Sequence, residues 1–148
     1  MPSESSPTPS SSSIRPERHT VLRSFAGHLD ADPAGVFAAL VERMQGAPGV
    51  AVDSAAFEIA QQGGWWYRGE YRVMAEPTEA GTEAGAAASG TRLEYEIVNV
   101  AQSWHWAGPI AGRRVLAEAP YGFHALLSDI EAELHPESQT ETPDQPAD

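Results

Sequence analysis

The sequence predicts an α+β domain in which a curved antiparallel sheet wraps around a long C-terminal helix. Three observations predict it. Trp65 to Ala75 alternates apolar and polar side chains with period 2. Phe123, Leu126, Leu127, Ile130 and Leu134 form an apolar stripe at helical spacing near the end of the chain. The order strand, helix, several strands, helix leaves that last helix as the cover for the apolar face of the sheet.

The elements follow in order. His19 to Leu29 reads as a first strand, with Val21, Phe25 and Leu29 on one face and Leu22 opposite. Asp32 is a helix N-cap and Pro33 suits the first helical position, where its missing N–H costs nothing. Val36, Phe37, Leu40, Val41 and Met44 are the buried stripe of this helix, which Gly46 and Pro48 end. Val50 to Ile59 is a second strand, and Gln61 to Gly64 a turn. In the strand from Trp65, one face holds Trp65, Tyr67, Tyr71 and Val73, and the other Trp66, Arg68, Glu70, Arg72 and Met74. Gly69 on the apolar face marks a bend or a close approach by another group. Pro77 to Gly90 has no large apolar residue and reads as a long hairpin loop. Thr91 to Val100 returns, with Leu93, Tyr95 and Ile97 inward and Arg92, Glu94 and Glu96 outward. Arg68 and Arg72 are expected opposite Glu94 or Glu96, in pairs worth roughly 0.2–1 kcal/mol each. After Trp104-His105-Trp106, a helix from Ile110 is expected to stop or kink at Pro120, and a second to run from Tyr121 to Leu134.

Composition sets the boundaries. Residues 1–13 hold seven Ser and three Pro, and the stretch from Glu137 holds four acids and no base. Neither can bury enough apolar surface to offset ordering entropy, so 1–14 and 137–148 are expected to be disordered tails around one domain at 15–136. The chain has a formal charge of −12, with no Lys among its nine basic residues. The net negative core disfavours nucleic acid and anionic membrane surfaces. With no Cys, disulfides, thiolate catalysis and Cys-based metal sites are excluded. No stretch approaches the roughly 20 apolar residues that span a bilayer, so no membrane insertion is expected. The N-terminal run has no secretory apolar core. A cytoplasmic protein, monomeric or weakly homodimeric, is expected.

The strand and helix entry at Asp30-Ala31-Asp32-Pro33-Ala34-Gly35-Val36-Phe37, the hairpin Tyr67-Arg68-Gly69-Glu70-Tyr71-Arg72-Val73 with Gly90-Thr91-Arg92-Leu93-Glu94-Tyr95, and the closing amphipathic helix together resemble the START-like, or SRPBCC, superfamily with its helix-grip fold. Met44 to Trp65 is short for the family's extra helix and strands, so an abbreviated version is expected. The resemblance implies an apolar cavity between sheet and C-terminal helix and a hydrophobic small-molecule ligand such as a lipid or polyketide. Some relatives cyclise polyketides. The family has no universal catalytic residues to carry over.

The candidate ligand-lining residues are Trp65, Tyr67, Tyr71, Tyr95, Ile97, Trp104, Trp106, Phe123 and Leu127. Aromatic surface with a few polar tips is the usual make-up of a small-molecule site; the same residues could equally pack a core against Phe123, Leu127 and Ile130. Trp104-His105-Trp106 reads as a rim or as a loop stapled to the helix. His19, His28, His105, His124 and His135 show no metal-ligand spacing, and no cofactor or catalytic set is assigned. A cyclase-like enzyme would use His105, Tyr71 or Arg68 to polarise carbonyls. A partner-binding module would instead expose apolar surface around Trp66 and Met74.

Overall fold

The computed structural model describes residues 15–76 and 90–136. Five strands form one antiparallel sheet: β1 (Thr20–Leu29), β2 (Val50–Asp53), β3 (Glu58–Gly63), β4 (Tyr67–Glu76) and β5 (Gly90–Asn99), in spatial order β1-β5-β4-β3-β2. Helix α1 (Pro33–Met44) follows β1. A short 3-10 turn (His105–Ala107), α2 (Gly108–Ala111) and α3 (Arg113–Leu134) close the chain. The expected hairpin loop at 77–89 and both expected tails lie outside the described residues.

Local chemistry explains most element ends. Asp32 caps α1 by accepting from the Gly35 N–H at 3.3 Å, with Pro33 in the first turn. The expected single strand over Val50 to Ile59 is instead two. Asp53 Oδ1 accepts from the N–H groups of Ala55 and Ala56 at 3.0 Å each, and Phe57 takes φ 55, so the chain reverses there. Gln61 to Gly63 then belong to β3, and the turn falls on residues 64–66. In β1 the register shifts between Val21 and Arg23. The extra residue turns Leu22 onto the core and leaves Val21 exposed, the reverse of the alternation read from sequence.

The inner sheet face carries Leu29, Ile59, Val73, Leu93, Tyr95 and Ile97, all buried. Two helices cover it. Val36, Phe37 and Leu40 of α1 pack over one part, and Leu116, Phe123 and Ile130 of α3 over the rest. The last helix therefore does not cover the sheet alone. Nor does Pro120 end it. The proline removes one intrahelical donor, but α3 continues because Leu116 on one side and Phe123 on the other are anchored in the core. Close approach is allowed by missing side chains. A Cβ on Gly27 would stand 2.3 Å from Leu127 Cδ1, and one on Gly112 would stand 2.2 Å from the Trp66 ring.

The outer face is a lattice of charge. Arg72 reaches Glu58 at 3.0 Å and Glu94 at 3.7 Å, and Arg92 reaches Glu94 at 3.0 Å. Arg68 pairs with Glu70 on its own strand at 2.7 Å. Glu70 and Glu96 are direct cross-strand partners, a repulsive juxtaposition on its own. Arg15, from ahead of β1, bridges them at 2.6 and 2.5 Å. Burial alone would raise the Glu70 carboxyl, but hydrogen bonds and charge from Arg15 and Arg68 outweigh it and hold the group below its ordinary value.

Two predictions follow from this packing. Gly112→Ala overpacks a stiff indole and lowers stability by about 2 kcal/mol, whereas Gly122→Ala, with nothing near its Cβ, raises it by about 0.5–1 kcal/mol; urea unfolding measures both. Glu70→Gln removes the charge that Arg15 and Arg68 both bond and costs about 2 kcal/mol at neutral pH. Because the folded carboxyl titrates below its ordinary 4.5, this contribution is full above that pH and is lost as pH falls below it. Melting temperatures of wild type and variant should therefore converge in acid.

Candidate functional site

The strongest feature of the inner face is an aromatic stack. Tyr71 and Tyr95 are cross-strand partners on β4 and β5, with ring centroids 4.5 Å apart at 12°. Phe25 on β1 continues the stack against Tyr95 at 5.9 Å, and Phe123 of α3 lies 6.1 Å from Tyr95 and 5.6 Å from Phe25. Period-2 alternation places the three strand residues on one face, and antiparallel register brings them level. Gly69 sits one inward position from Tyr71. A Cβ there would stand 2.6 Å from the Tyr67 hydroxyl and 3.2 Å from Tyr95 Cε2. The close approach expected at this glycine is therefore made by Tyr67, whose ring folds over it to bring its hydroxyl 2.7 Å from that of Tyr95.

These phenols are kept protonated. Burial raises Tyr67 most, with partial relief from its bond to Tyr95. Tyr71 is pushed up to about 12, first by burial and then by the charge of Tyr67, with partial relief from its hydrogen bond to Tyr95. Tyr95 is raised furthest, by burial and by both neighbours. At neutral pH the cluster is a set of neutral O–H groups that donate or accept.

Beside the stack lies an open-sided groove of about 390 Å³, lined by Tyr71, Tyr95, Val115, Glu118, Ala119, Gly122, Phe123 and Leu126. Its floor is the two tyrosine rings and its wall is α3. Small residues at 119 and 122 hold the helix wall back. Another hollow, of about 420 Å³, lies on the outer face, but Arg15, Glu70, Arg72, Glu94 and Glu96 there satisfy one another.

The sequence candidates separate accordingly. Tyr71, Tyr95 and Phe123 line the groove, and Tyr67 supports it through Tyr95. Ile97 is fully buried core, and Leu127 packs on Gly27. Trp65 and Trp66 exchange the roles read from alternation. Both lie in the turn before β4, where period 2 does not hold. Trp65 is 51% exposed, while Trp66 is 9% exposed, packs edge-on to Tyr67 and sets the outer carbons of its six-membered ring against Gly112. Trp66 and Met74 therefore do not form the exposed patch expected of a partner-binding face. Trp104 and Trp106 are 74% and 72% exposed and stand away from the groove.

Of the residues suggested for polarising carbonyls, only Tyr71 faces the groove. Arg68 is on the outer face with Glu70. His105 has both ring nitrogens engaged: Nδ1 donates to the Ala101 carbonyl at 2.8 Å, and Nε2 meets the Thr20 hydroxyl at 2.9 Å. Sequence reasoning missed Val115, Glu118, Ala119, Gly122 and Leu126 as lining residues. Their small or ordinary side chains carry no chemical signal; only their spacing along α3 beside Phe123 could have pointed to them. Among the described residues, no cluster of His, Asp and Glu is arranged to hold a metal ion.

Compared with protein-family models, curated proteins and solved structures, the chain matches none.

The raised phenols give a direct test. Ultraviolet titration should show Tyr71 ionising only near pH 12. Since the folded values are raised, the stabilisation is full below the ordinary 10.0 and is lost as pH climbs past it. Alkaline unfolding should thus accompany tyrosinate formation, and a cluster ionising at the ordinary value in the folded protein would contradict the geometry.

Proposed function

We propose that the protein binds an uncharged, largely apolar small molecule in the groove between β4, β5 and α3, on a helix-grip-like scaffold of the START kind. The observation that carries this reading is the stacked Tyr71–Tyr95 floor opening directly onto the groove. Flat aromatic surface takes apolar or aromatic ligands by burial and stacking. The volume falls in the range of roughly 300–1,000 Å³ typical of small-molecule sites. Neutral phenols at the floor supply a hydrogen bond to a carbonyl or hydroxyl on the ligand. Among the described residues, the one charged lining residue is Glu118, two-thirds exposed and paired with Arg114. An anionic ligand would therefore meet a carboxylate and no facing cation.

A cyclase-like reaction finds less support in the same lining. Tyr71 and Tyr95 could orient a carbonyl, but a general base would have to be the solvent-facing Glu118.

Native mass spectrometry of the purified protein and titration with a neutral solvatochromic dye test the proposal. Ala119→Trp puts an indole into the groove from the α3 wall and should weaken dye binding by about tenfold or more, with circular dichroism checking that the fold is retained. Wild type that carries no small molecule and binds the dye no better than Ala119→Trp would sink the reading.

A further inference from the structure

Three of the four tryptophans stand exposed at one end of the molecule: Trp65, Trp104 and Trp106, with Ile110 at 65% exposure beside them in the chain. This is the end where β1 and β4 begin and β5 finishes, since Asn99 pairs with both Thr20 and Tyr67. The display is built. Buried Asn99 donates to the His105 carbonyl at 2.7 Å and accepts from the Ala101 N–H at 3.1 Å. Gly108 lies directly on that amide, closer than any side chain would allow. His105 is fastened to Ala101 and Thr20. Between these anchors Trp104 takes a left-handed backbone, φ 54 and ψ 38, unusual for a bulky residue and found where surroundings impose it. The anchors are polar and inward, and the indoles point out.

Charge at this end departs from that of the chain. No Asp or Glu occurs between Glu17 and Asp30, between Glu58 and Glu70, or between Glu96 and Glu118. Those stretches supply the strand ends and the loop that carry the tryptophans. Arg18, Arg113 and Arg114 lie within them and are exposed. Two acids do stand here, Glu17 beside Arg18 in the hollow that His105 lines and Glu118 one turn into α3; the Arg114–Glu118 pair is solvent-exposed on both sides, so it holds little of the arginine's charge. A protein of net −12 thus presents one acid-poor, arginine-bearing, tryptophan-rich end.

We propose that this end docks on an anionic lipid surface. Indole rings settle at the headgroup level of a bilayer, where one edge is apolar and the other wet. Guanidinium groups pair with lipid phosphate in a forked geometry. The acids at the other end of α3 lie about 33 Å away along its 22 residues. Salt screens charge over about 8 Å under physiological conditions, so they do not cancel the local attraction. The attachment is peripheral: among the described residues no helix is long and apolar enough to cross a membrane. It stands independently of the groove reading, although Val115 of the groove lies close in sequence to Arg113 and Arg114.

Co-sedimentation of the full chain with vesicles tests it, using phosphatidylcholine alone or mixed equally with phosphatidylglycerol. Binding should be about tenfold stronger to the anionic vesicles, fall with added salt, and shift tryptophan emission to the blue. Trp104→Ser with Trp106→Ser should keep the circular dichroism spectrum and lose about tenfold in binding. Arg113→Gln with Arg114→Gln should lose the preference for anionic lipid, and carries the test if the tryptophan variant fails to fold. No binding to either vesicle, or binding unchanged in both double variants, overturns the proposal. So does tryptophan-dependent dimerisation without vesicle binding, which would assign this surface to a second copy of the chain.

Discussion

The aromatic stack of Phe25, Tyr95 and Tyr71 with Phe123 is the interaction on which the rest of the molecule depends. It ties β1, β5 and β4 to α3 through four rings spaced between 4.5 and 6.1 Å. Large rings at the centre of a sheet hold the covering helix at a distance set by their thickness. Where small residues face the rings, at Ala119 and Gly122, space remains and becomes the groove. Where the sheet offers Gly27 instead, the helix closes down and Leu127 fills the gap. Packing and opening are two outcomes of one size pattern along one interface.

The outer face solves a different problem. The hairpin that aligns Tyr71 with Tyr95 also aligns Glu70 with Glu96. Register is common to both faces of a strand pair, so the inward stack forces an outward clash of like charge. Arg15 and Arg68 neutralise it, and the cost of burying Glu70 is offset by their hydrogen bonds. The residue just ahead of β1 is in this sense part of the hairpin's stability, though it lies 55 residues from Glu70.

Much of the fold was legible because its determinants are local. The Asp32-Pro33 cap and the stripe from Val36 to Met44 state a helix within a few residues. Leu93, Tyr95 and Ile97 against Arg92, Glu94 and Glu96 state a strand and both its faces. Three of the groove residues, Tyr71, Tyr95 and Phe123, were legible for the same reason. Trp65 does not share the covered face with Tyr67 and Tyr71, because residues 65 and 66 precede β4 and period 2 does not extend to them. In a turn, side-chain direction is set by what the turn packs on, and here that is Gly112, which lies far along the sequence. By its local chemistry Pro120 signals a stop or a kink; buried neighbours on both sides carry the helix through it as one element.

By itself, the sequence determined the α+β order of elements, the two helix stripes and the inward set on the central hairpin, since each rests on periodicity within one element. Only the tertiary structure decided which tryptophans are core and which face solvent, that Arg15 joins two opposed carboxylates, and that an acid-poor end exists within an acidic chain. Each of these joins segments far apart in sequence. Periodicity carries no information about such meetings; register, close approach at glycines and the direction of α3 do.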